Sequence, residues 1–304
     1  MKIAFMFSPQ GAQYTGMGKD LYENYDLVKR RIDEANALLP YDLKEVLFEN
    51  EALLNETRYV QTALFVLSTA LRDLMRNLGV VSKGSVGLSL GEYAALYDQE
   101  VFSFETGLSI IESRAKAMDE ATKHTEGSMA AVRSDLETLK PMVDSIDDLY
   151  IANYNLENQY VISGSKDAIN HFMEISKENG IRRVRLLKTA GAFHSPFMEK
   201  AARIFKKTLD CVALSDPKGA IYLNTTGQIY QNNLKDHMVN QMTAPVKFYP
   251  AIQTMIEDGY DTFIELGVKN TLSAMVKKIN KDVFSLHVED QETLHTVLKE
   301  LGYE

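Results

Sequence analysis

A serine flanked by glycines, Gly87-Leu88-Ser89-Leu90-Gly91, is the feature of the sequence best suited to chemistry. The pattern G-x-S-x-G is typical of a nucleophile elbow, in which a sharp turn between a strand and a helix lifts a serine hydroxyl out of a sheet. Residues 85–88 have the pattern of a strand and residues 92–96 that of a helix. The motif predicts a nucleophile at Ser89, with the backbone N–H of Leu90 as an oxyanion donor. The alternative is an ordinary helix N-cap serine.

A serine nucleophile needs a base, and two of the six histidines are candidates. His194 lies among small residues in a loop between a predicted strand and a predicted helix, and such loops carry catalytic groups in α/β folds. His287 lies in the last predicted strand, where an α/β-hydrolase places its triad histidine, with Asp258 or Asp261 as the orienting acid. Spacing alone leaves the choice between the two histidines open.

A glycine-rich turn, Gln10 to Lys19, follows the first predicted strand. A P-loop needs Lys and then Ser or Thr directly after Gly16, where Met17 and Gly18 stand, and the spacing G-x-G-x-x-G is also absent. The backbone N–H groups of such a turn can still bind an anion or an oxyanion. The turn is therefore a candidate anion site and not a nucleotide site.

The elements that must position these residues alternate between strand and helix. Residues 2–7 form an apolar run typical of a buried strand. Apolar residues recur at spacings of three and four from Val60 to Leu78, which predicts a buried helix that ends at Gly79. A further helix is predicted from the N-cap Ser103 to about Ala121. Later predicted helices cover 197–209, 246–257, 271–279 and 292–301, and later predicted strands cover 221–224, 262–266 and 283–288. This alternation predicts an α/β fold with parallel strands.

A segment with a different rhythm, residues 127–188, interrupts that alternation. Its predicted elements are a strand (129–132), a helix (135–143), two strands (149–154 and 159–163), a helix (166–178) and a strand (181–187). The order βαββαβ is the ferredoxin-like arrangement. We therefore expect a large subdomain formed by 1–126 and 189–304, with an inserted small subdomain at 127–188.

Composition narrows the class of protein. The chain has 304 residues, 45% of them hydrophobic, and a net charge of −9 from 33 Lys+Arg and 42 Asp+Glu, which disfavours nucleic acid as the main partner. The lone Cys211 cannot form an internal disulfide, so a reducing, cytoplasmic compartment is expected, and no Cys/His cluster has the spacing of a metal site. The longest apolar stretches are far short of 18 residues, so we expect neither a membrane span nor a signal peptide.

Five features together resemble the malonyl-CoA:acyl carrier protein transacylases over nearly the whole chain. They are Gln10-Gly11-Ala12-Gln13, Gly87 to Tyr93, Arg114, Gly191-Ala192-Phe193-His194-Ser195 and the βαββαβ insertion. The resemblance implies a hydrolase-like parallel-sheet core with an inserted ferredoxin-like small subdomain. It also implies a Ser89–His194 dyad, in which His194 and not His287 is the base and no acidic third member is required.

The resemblance implies roles for five further residues. The backbone N–H of Gln10 pairs with that of Leu90 in the oxyanion hole, and the carbonyl of Gln241, shortly before Pro245-Val246, orients His194. Gln61 matches a further active-site glutamine. Two positions bear on the acyl group: Arg114 matches the arginine that holds the free carboxylate of malonate, and Phe193 accompanies malonyl selection. A guanidinium offers two parallel donors to a carboxylate, so the site is expected to reject acetyl groups.

The implied reaction transfers malonyl from malonyl-CoA to the phosphopantetheine thiol of acyl carrier protein through a malonyl-serine ester, in fatty acid or polyketide biosynthesis. No cofactor beyond these substrates is implied, and a monomer is the working expectation. Because such carrier proteins are acidic, a local basic surface is expected. Its candidates are Arg182, Arg183, Arg185 and Lys188 on the last small-subdomain strand, and Lys200, Arg203 and Lys207 on the next helix. The alternative is an ordinary charged exterior.

The chain departs from the motifs of the family at three places. Leu88 stands where the family usually has His, and Asn155 to Gln159 replaces an Asn-Ser-Pro-Gly-Gln loop. Phe7-Ser8-Pro9-Gln10-Gly11 replaces Phe-Pro-Gly-Gln-Gly, and Pro9 brings a fixed φ and no N–H to the oxyanion turn.

Two other functions stay open at this point. The first is an acyl-thioester hydrolase or editing enzyme on the same scaffold. Arg114 argues against it, because hydrolysis by water does not require a residue that holds the acyl carboxylate. The second is a catalytically weak carrier-protein-binding protein, suggested by Leu88 and Pro9. The presence of Ser89, His194, Arg114 and Gln241 together argues against it.

Overall fold

The computed structural model describes residues 1–303, which form nine strands and fourteen α-helices in an α/β fold with two sheets. The strands are β1 (Ile3–Phe7), β2 (Gly84–Gly87), β3 (Gly127–Arg133), β4 (Leu149–Leu156), β5 (Gln159–Ser165), β6 (Arg183–Leu186), β7 (Ala220–Tyr222), β8 (Thr262–Leu266) and β9 (Phe284–Val288). The helices are α1 (Lys19–Asn24), α2 (Asp26–Leu38), α3 (Leu43–Phe48), α4 (Glu51–Leu54), α5 (Thr57–Asn77), α6 (Gly91–Asp98), α7 (Phe104–Thr122), α8 (Leu136–Asp144), α9 (Lys166–Ser176), α10 (Glu199–Asp210), α11 (Leu234–Asn240), α12 (Phe248–Glu257), α13 (Thr271–Ile279) and α14 (Gln291–Leu301).

The larger sheet has the order β7-β2-β1-β8-β9, and all of its neighbouring strands are parallel. Its central strand β1 is buried along its whole length. Successive side chains of β1 enter opposite cores: Phe5 and Phe7 pack with the helix α5 on one face, and Ala4 and Met6 pack with α12 and α13 on the other. The predicted parallel core is confirmed, with its helices on both faces.

The smaller sheet has the order β4-β5-β3-β6, and its paired strands are antiparallel. Leu139 of α8 and Phe172 of α9 pack on one face of it, in a core of its own. This is the predicted ferredoxin-like arrangement, and its elements run from Gly127 to Leu186. The division at 127–188 stays a proposal, which the separate small core supports.

A short backbone bridge joins β4 of the smaller sheet to the connection between α11 and α12. The N–H of Val246 donates to Ala152 O at 2.8 Å, and the N–H of Tyr154 donates to Val246 O at 2.8 Å. Because β4 binds both backbone groups of Val246, that residue is extended. The helix predicted from Val246 therefore begins at Phe248.

The helix α5 is buried on nearly every side, including the predicted positions Val60, Leu64 and Leu71. Three short helices, α3, α4 and α11, were not predicted. They have six, four and seven residues, too few for an apolar period to show. No helix within residues 1–303 combines the length and the apolar character that crossing a membrane requires.

Candidate active site

Ser89 occupies the turn between β2 and α6, at the carboxyl ends of the parallel strands, where α/β sheets bind ligands. Its backbone is left-handed, with φ of 54°, a conformation that costs a non-glycine residue free energy and recurs at functional sites. The flanking glycines allow this sharp turn. A Cβ at Gly87 would lie 2.0 Å from Gly91 C, and one at Gly91 would lie 2.0 Å from Phe7 O. Strand and helix can therefore cross at the elbow only because both residues are glycine.

The structure brings His194, and not His287, to the serine. Ser89 Oγ lies 2.7 Å from His194 Nε2, and His194 Nδ1 lies 2.8 Å from the backbone oxygen of Gln241. A carbonyl can only accept, so Nδ1 carries the proton and Nε2 is free to accept the serine proton. The second ring nitrogen thus binds a neutral carbonyl in place of a carboxylate.

His194 is buried, and burial lowers the pKa of its imidazole to about 4, with the positive charge of Arg114 acting in the same direction. The imidazole is therefore the free base at neutral pH. A general base must be in this form to take a proton from serine.

The rival histidine and its acids lie elsewhere. His287 is on the edge strand β9, separated from β2 by β1 and β8, which puts it about 14 Å away across the sheet. Asp261 precedes β8 and so lies at the opposite end of the sheet from Ser89, and Asp258 accepts a hydrogen bond from Tyr222. These residues form no second triad at the serine.

Arg114, on α7, is a buried cation that points at the nucleophile and is 1% exposed. Its Nη1 donates to Gln61 Oε1 at 2.6 Å, and its Nη2 donates to Gln241 Oε1 at 3.2 Å and to Ser89 Oγ at 3.4 Å. These partners are all neutral, and its buried Nε has no hydrogen-bond partner among residues 1–303. A buried cation held only by neutral groups favours an anionic ligand, because burying an unpaired charge is costly.

The two residues proposed from the sequence as oxyanion donors, Gln10 and Leu90, both line the cavity. Within residues 1–303 neither backbone N–H donates to a protein acceptor. Leu90 N–H lies at the start of α6, where the helix dipole favours negative charge. Two unused N–H groups beside a nucleophile can bind the oxyanion of a tetrahedral intermediate.

The turn that carries Gln10 is hydrogen-bonded to the neighbouring strand β8. Ser8 Oγ donates to Glu265 Oε1 at 2.9 Å, and Glu265 Oε2 accepts from Ser273 N at 2.8 Å. Both Ser8 and Glu265 are buried, and burial raises the pKa of the Glu265 carboxyl. Pro9, the departure noted in the sequence, lies between this anchor and Gln10 and also lines the cavity.

The cavity in front of Ser89 has a volume of about 640 Å³, and Phe193 and Leu88 form part of its wall. Thr57, Asn155 and Thr189 line it, and each has a buried side-chain oxygen without a hydrogen-bond partner in the described chain. Groups of this kind fit a polar ligand. Among residues 1–303, no group of three or more His, Cys, Asp and Glu side chains is arranged to hold a metal ion.

Two site residues were missed by the sequence reasoning, Asn224 and Glu92. Asn224 Oδ1 accepts the backbone N–H of Ser89 at 2.7 Å, and its Nδ2 donates to Gly87 O at 2.6 Å. Glu92 is buried below the elbow, and burial raises the pKa of its carboxyl to about 7. A signal existed for each: Asn224 ends a predicted strand, and Glu92 stands three residues after Ser89.

The chain is similar to known proteins along its whole length. The family model described as acyl transferase domain matches residues 4–299. The malonyl CoA-acyl carrier protein transacylase of Bacillus subtilis (strain 168) is 35% identical, covering 100% of this chain and 98% of that protein. The crystal structure of the malonyl CoA-acyl carrier protein transacylase from Clostridium perfringens has a TM-score of 0.95 at 36% identity, covering 99% of this chain and 98% of that one. A further structure, of a type II PKS acyl-carrier protein in complex with its malonyl-transacylase, has a TM-score of 0.94 at 27% identity, covering 99% of this chain and 100% of that one.

Proposed function

The chain belongs to the acyl transferase domain family, and from this premise we propose that Ser89 is its nucleophile and His194 the base that activates it. Its activity is the transfer of a malonyl group from malonyl-CoA to an acyl carrier protein. The observation that carries the assignment of the site is Arg114, a buried cation 3.4 Å from the nucleophile oxygen with neutral partners only. A malonyl group supplies the missing carboxylate.

In the first half of the reaction, Ser89 Oγ attacks the thioester carbonyl of malonyl-CoA while His194 Nε2 takes the hydroxyl proton. The backbone N–H groups of Gln10 and Leu90 hold the oxyanion of the tetrahedral intermediate. The intermediate collapses, the carbon–sulfur bond breaks, and His194 returns the proton to the departing thiolate of coenzyme A. A malonyl-serine ester remains on the enzyme.

In the second half, the phosphopantetheine thiol of the carrier protein gives its proton to His194 and attacks the ester. The carbon–oxygen bond breaks, Ser89 recovers its proton from His194, and malonyl leaves as a thioester. Arg114, supported by Gln61 and Gln241, holds the acyl carboxylate through both halves, which fixes the carbonyl for attack. Phe193 narrows the cavity beside the dyad and disfavours larger acyl groups.

The carrier protein is the proposed partner, and one face of the small sheet is suited to it. Arg183 and Arg185 on β6 lie beside Arg133 and Ala131 on β3, so the three arginines share a face, which we call the arginine face. They are exposed and form no ion pair among residues 1–303. The same face continues to Met129, which lines the active-site cavity.

At the usual rise per residue along a strand, Arg133 of the arginine face lies about 13 Å from Met129 in the cavity wall. A phosphopantetheine arm, which must extend from the carrier surface to Ser89, is longer than this. Of the other cations expected to dock the partner, Lys188 lines the cavity and Arg182 is exposed directly before β6. Lys200, Arg203 and Lys207 are exposed on α10, where Arg203 is paired with Glu199 at 3.6 Å. An acidic carrier protein can therefore meet unpaired positive charge beside the cavity mouth.

Three further expectations are part of the proposal. The chemistry above needs no cofactor besides the two substrates, the malonyl-CoA thioester and the phosphopantetheine thiol of the carrier protein, since Ser89, His194 and backbone N–H groups supply every step. A cytoplasmic enzyme fits the single cysteine, Cys211, which is unpaired. We propose that the enzyme is a monomer and that it acts in fatty acid or polyketide biosynthesis.

The test is the mass of the intact protein after mixing with malonyl-CoA or acetyl-CoA, for the wild type and the Ser89→Ala variant. A malonyl-sized increment that is absent from Ser89→Ala supports the proposal, and transfer of that increment to holo carrier protein completes it. Release of free malonate without a lasting adduct would identify a hydrolase instead. If neither an adduct nor free acid forms, the protein is a carrier-binding protein or uses a different acyl donor.

A further inference from the structure

Glu92 is a buried carboxylate below the nucleophile that none of the steps above uses. It lies in the first turn of α6 and is 1% exposed. Its two oxygens accept hydrogen bonds from two neutral donors, the backbone N–H of Asn224 at 2.5 Å and Nε2 of Gln241 at 3.1 Å. Burial of a carboxylate is unfavourable unless its acceptors are satisfied, so both contacts matter to the site.

Both donors lead on to the backbone of Ser89. Asn224 Oδ1 accepts the N–H of Ser89 at 2.7 Å, and Gln241 Nε2 donates to the carbonyl of Ser89 at 2.8 Å. The left-handed backbone of Ser89 persists only where its surroundings hold it. Glu92 is thus connected, through one residue on each side, to both backbone polar groups of the nucleophile.

The same Gln241 side chain also holds Arg114. Its Oε1 accepts from Arg114 Nη2 at 3.2 Å, while its Nε2 faces Glu92 and the carbonyl of Ser89. An amide has a donor end and an acceptor end, and its neighbours decide which way it points. Both Glu92 oxygens accept hydrogen bonds, so the NH₂ end of Gln241 faces Glu92 and the amide oxygen is left for the guanidinium.

We propose that Glu92 is a positioning residue, which fixes the orientation of the Gln241 amide and so holds Arg114 and the Ser89 backbone in place for a carboxylated acyl group. The inference rests on the proposed function, because it concerns the selection of malonyl. A glutamine at position 92 has nearly the same shape but turns an NH₂ group toward one of two donors. Two arrangements are then possible. Either the NH₂ group of residue 92 faces another donor, or the Gln241 amide rotates and its NH₂ group faces the Arg114 guanidinium.

The test compares acylation of Ser89 by malonyl-CoA and by acetyl-CoA in single turnovers, read by intact mass, for the wild type and Glu92→Gln. We expect kcat/KM for malonyl-CoA to fall about 10- to 100-fold, the range for an unsatisfied buried polar group, and the malonyl-to-acetyl ratio to fall at least 5-fold. In a Gln241→Ala background, the same Glu92→Gln change should lower that ratio no further, because the amide it orients is gone.

The matched control is Asp98→Asn, since Asp98 is also buried and accepts bonds from Arg72, Ser85 and Gln99, away from the cavity. It should lower the melting temperature and leave the malonyl-to-acetyl ratio unchanged. A folded Glu92→Gln protein with the wild-type ratio would overturn the inference. If Glu92→Gln does not fold, Gln241→Leu must lower the ratio instead, and an unchanged ratio there overturns it. A wild type without a malonyl adduct would remove the proposed function, and this inference with it.

Discussion

Arg114 Nη2 lies 3.4 Å from Ser89 Oγ, so the cation and the nucleophile touch across the floor of one cavity. In a malonyl ester one methylene separates the free carboxylate from the esterified carbonyl. That short spacing lets an acyl group bonded to Ser89 keep its carboxylate on the guanidinium. A succinyl group has one more methylene, which would place its carboxylate further from Ser89 than the Arg114 guanidinium lies. We therefore expect the distance between the two residues to select both the charge and the length of the acyl chain.

We expect Arg114→Met to reverse the preference for the acyl group. The variant removes the cation and keeps much of its volume, so kcat/KM for malonyl-CoA should fall about 100-fold or more, while that for acetyl-CoA should stay level or rise. Single-turnover acylation measured by intact mass gives both values. The control is Arg76→Met, because Arg76 is paired with Glu100 at 3.0 Å and lies outside the cavity lining. A 100-fold fall for both substrates alike would contradict a role in selection.

The pH dependence of acylation should reflect the low pKa of His194. A base with a pKa of about 4 is unprotonated throughout the neutral range, so the fall in kcat/KM that is due to protonation of His194 should lie near pH 4. Removing the nearby positive charge in Arg114→Met should raise the pKa of His194 toward its ordinary value. The acid limb measured with acetyl-CoA should then lie at higher pH in the variant than in the wild type. Coincident limbs would exclude the influence of Arg114 on the base.

Ser8→Ala should slow acylation by releasing the oxyanion turn. The change removes the hydrogen bond to Glu265, and the neighbouring Gln10 N–H then lacks a fixed position in the transition state. We expect kcat to fall about 10-fold with little change in KM, because the oxyanion exists only in the transition state and intermediate. Ser176→Ala, which also removes a buried hydroxyl but in the small subdomain, should leave kcat unchanged. A larger effect on KM than on kcat would argue against this account.

Charge reversal on the arginine face should weaken transfer to the carrier protein without affecting loading. In the double variant Arg133→Glu and Arg183→Glu, we expect KM for the carrier protein to rise at least 10-fold, since rim charges steer docking. The rate of malonyl-serine formation from malonyl-CoA should stay within twofold of the wild type. Lys166→Glu, on the helix-covered side of the small subdomain, is the control. An unchanged KM for the carrier protein in the arginine variant would place the docking surface elsewhere.

Local patterns were enough to predict the strands and most of the long helices, although not α2. The strand β1 follows from an unbroken apolar run, and α5 from a period of three and four that ends at Gly79. The order of elements between residues 127 and 188 predicted the antiparallel sheet. The start of α12 could not be predicted, because β4 holds the backbone of Val246 and that contact is not visible in the local sequence.

The site was predictable only in part, for a related reason. Ser89 carries a motif, but its choice of base depends on a contact between residues 105 positions apart, which spacing left open between two histidines. The role of Asn224 depends on β7 pairing beside β2, so it appears only when the sheet is assembled. Glu92 reads as an exposed helix residue, since glutamate is seldom buried. Its burial follows from the tight crossing at Gly91.

The place of β1 at the middle of its sheet has a consequence for biosynthesis. One side of this strand pairs with β2, at residues 84–87, but the other pairs with β8, which begins at Thr262. At a translation rate of roughly 5 to 20 residues per second, about 13 to 52 s pass between synthesis of β1 and synthesis of β8. During that interval the chain on the ribosome exposes an apolar strand with an unpaired edge, which other chains can add to. Demand for chaperones should therefore be greatest late in translation, and it should end once β8 has emerged.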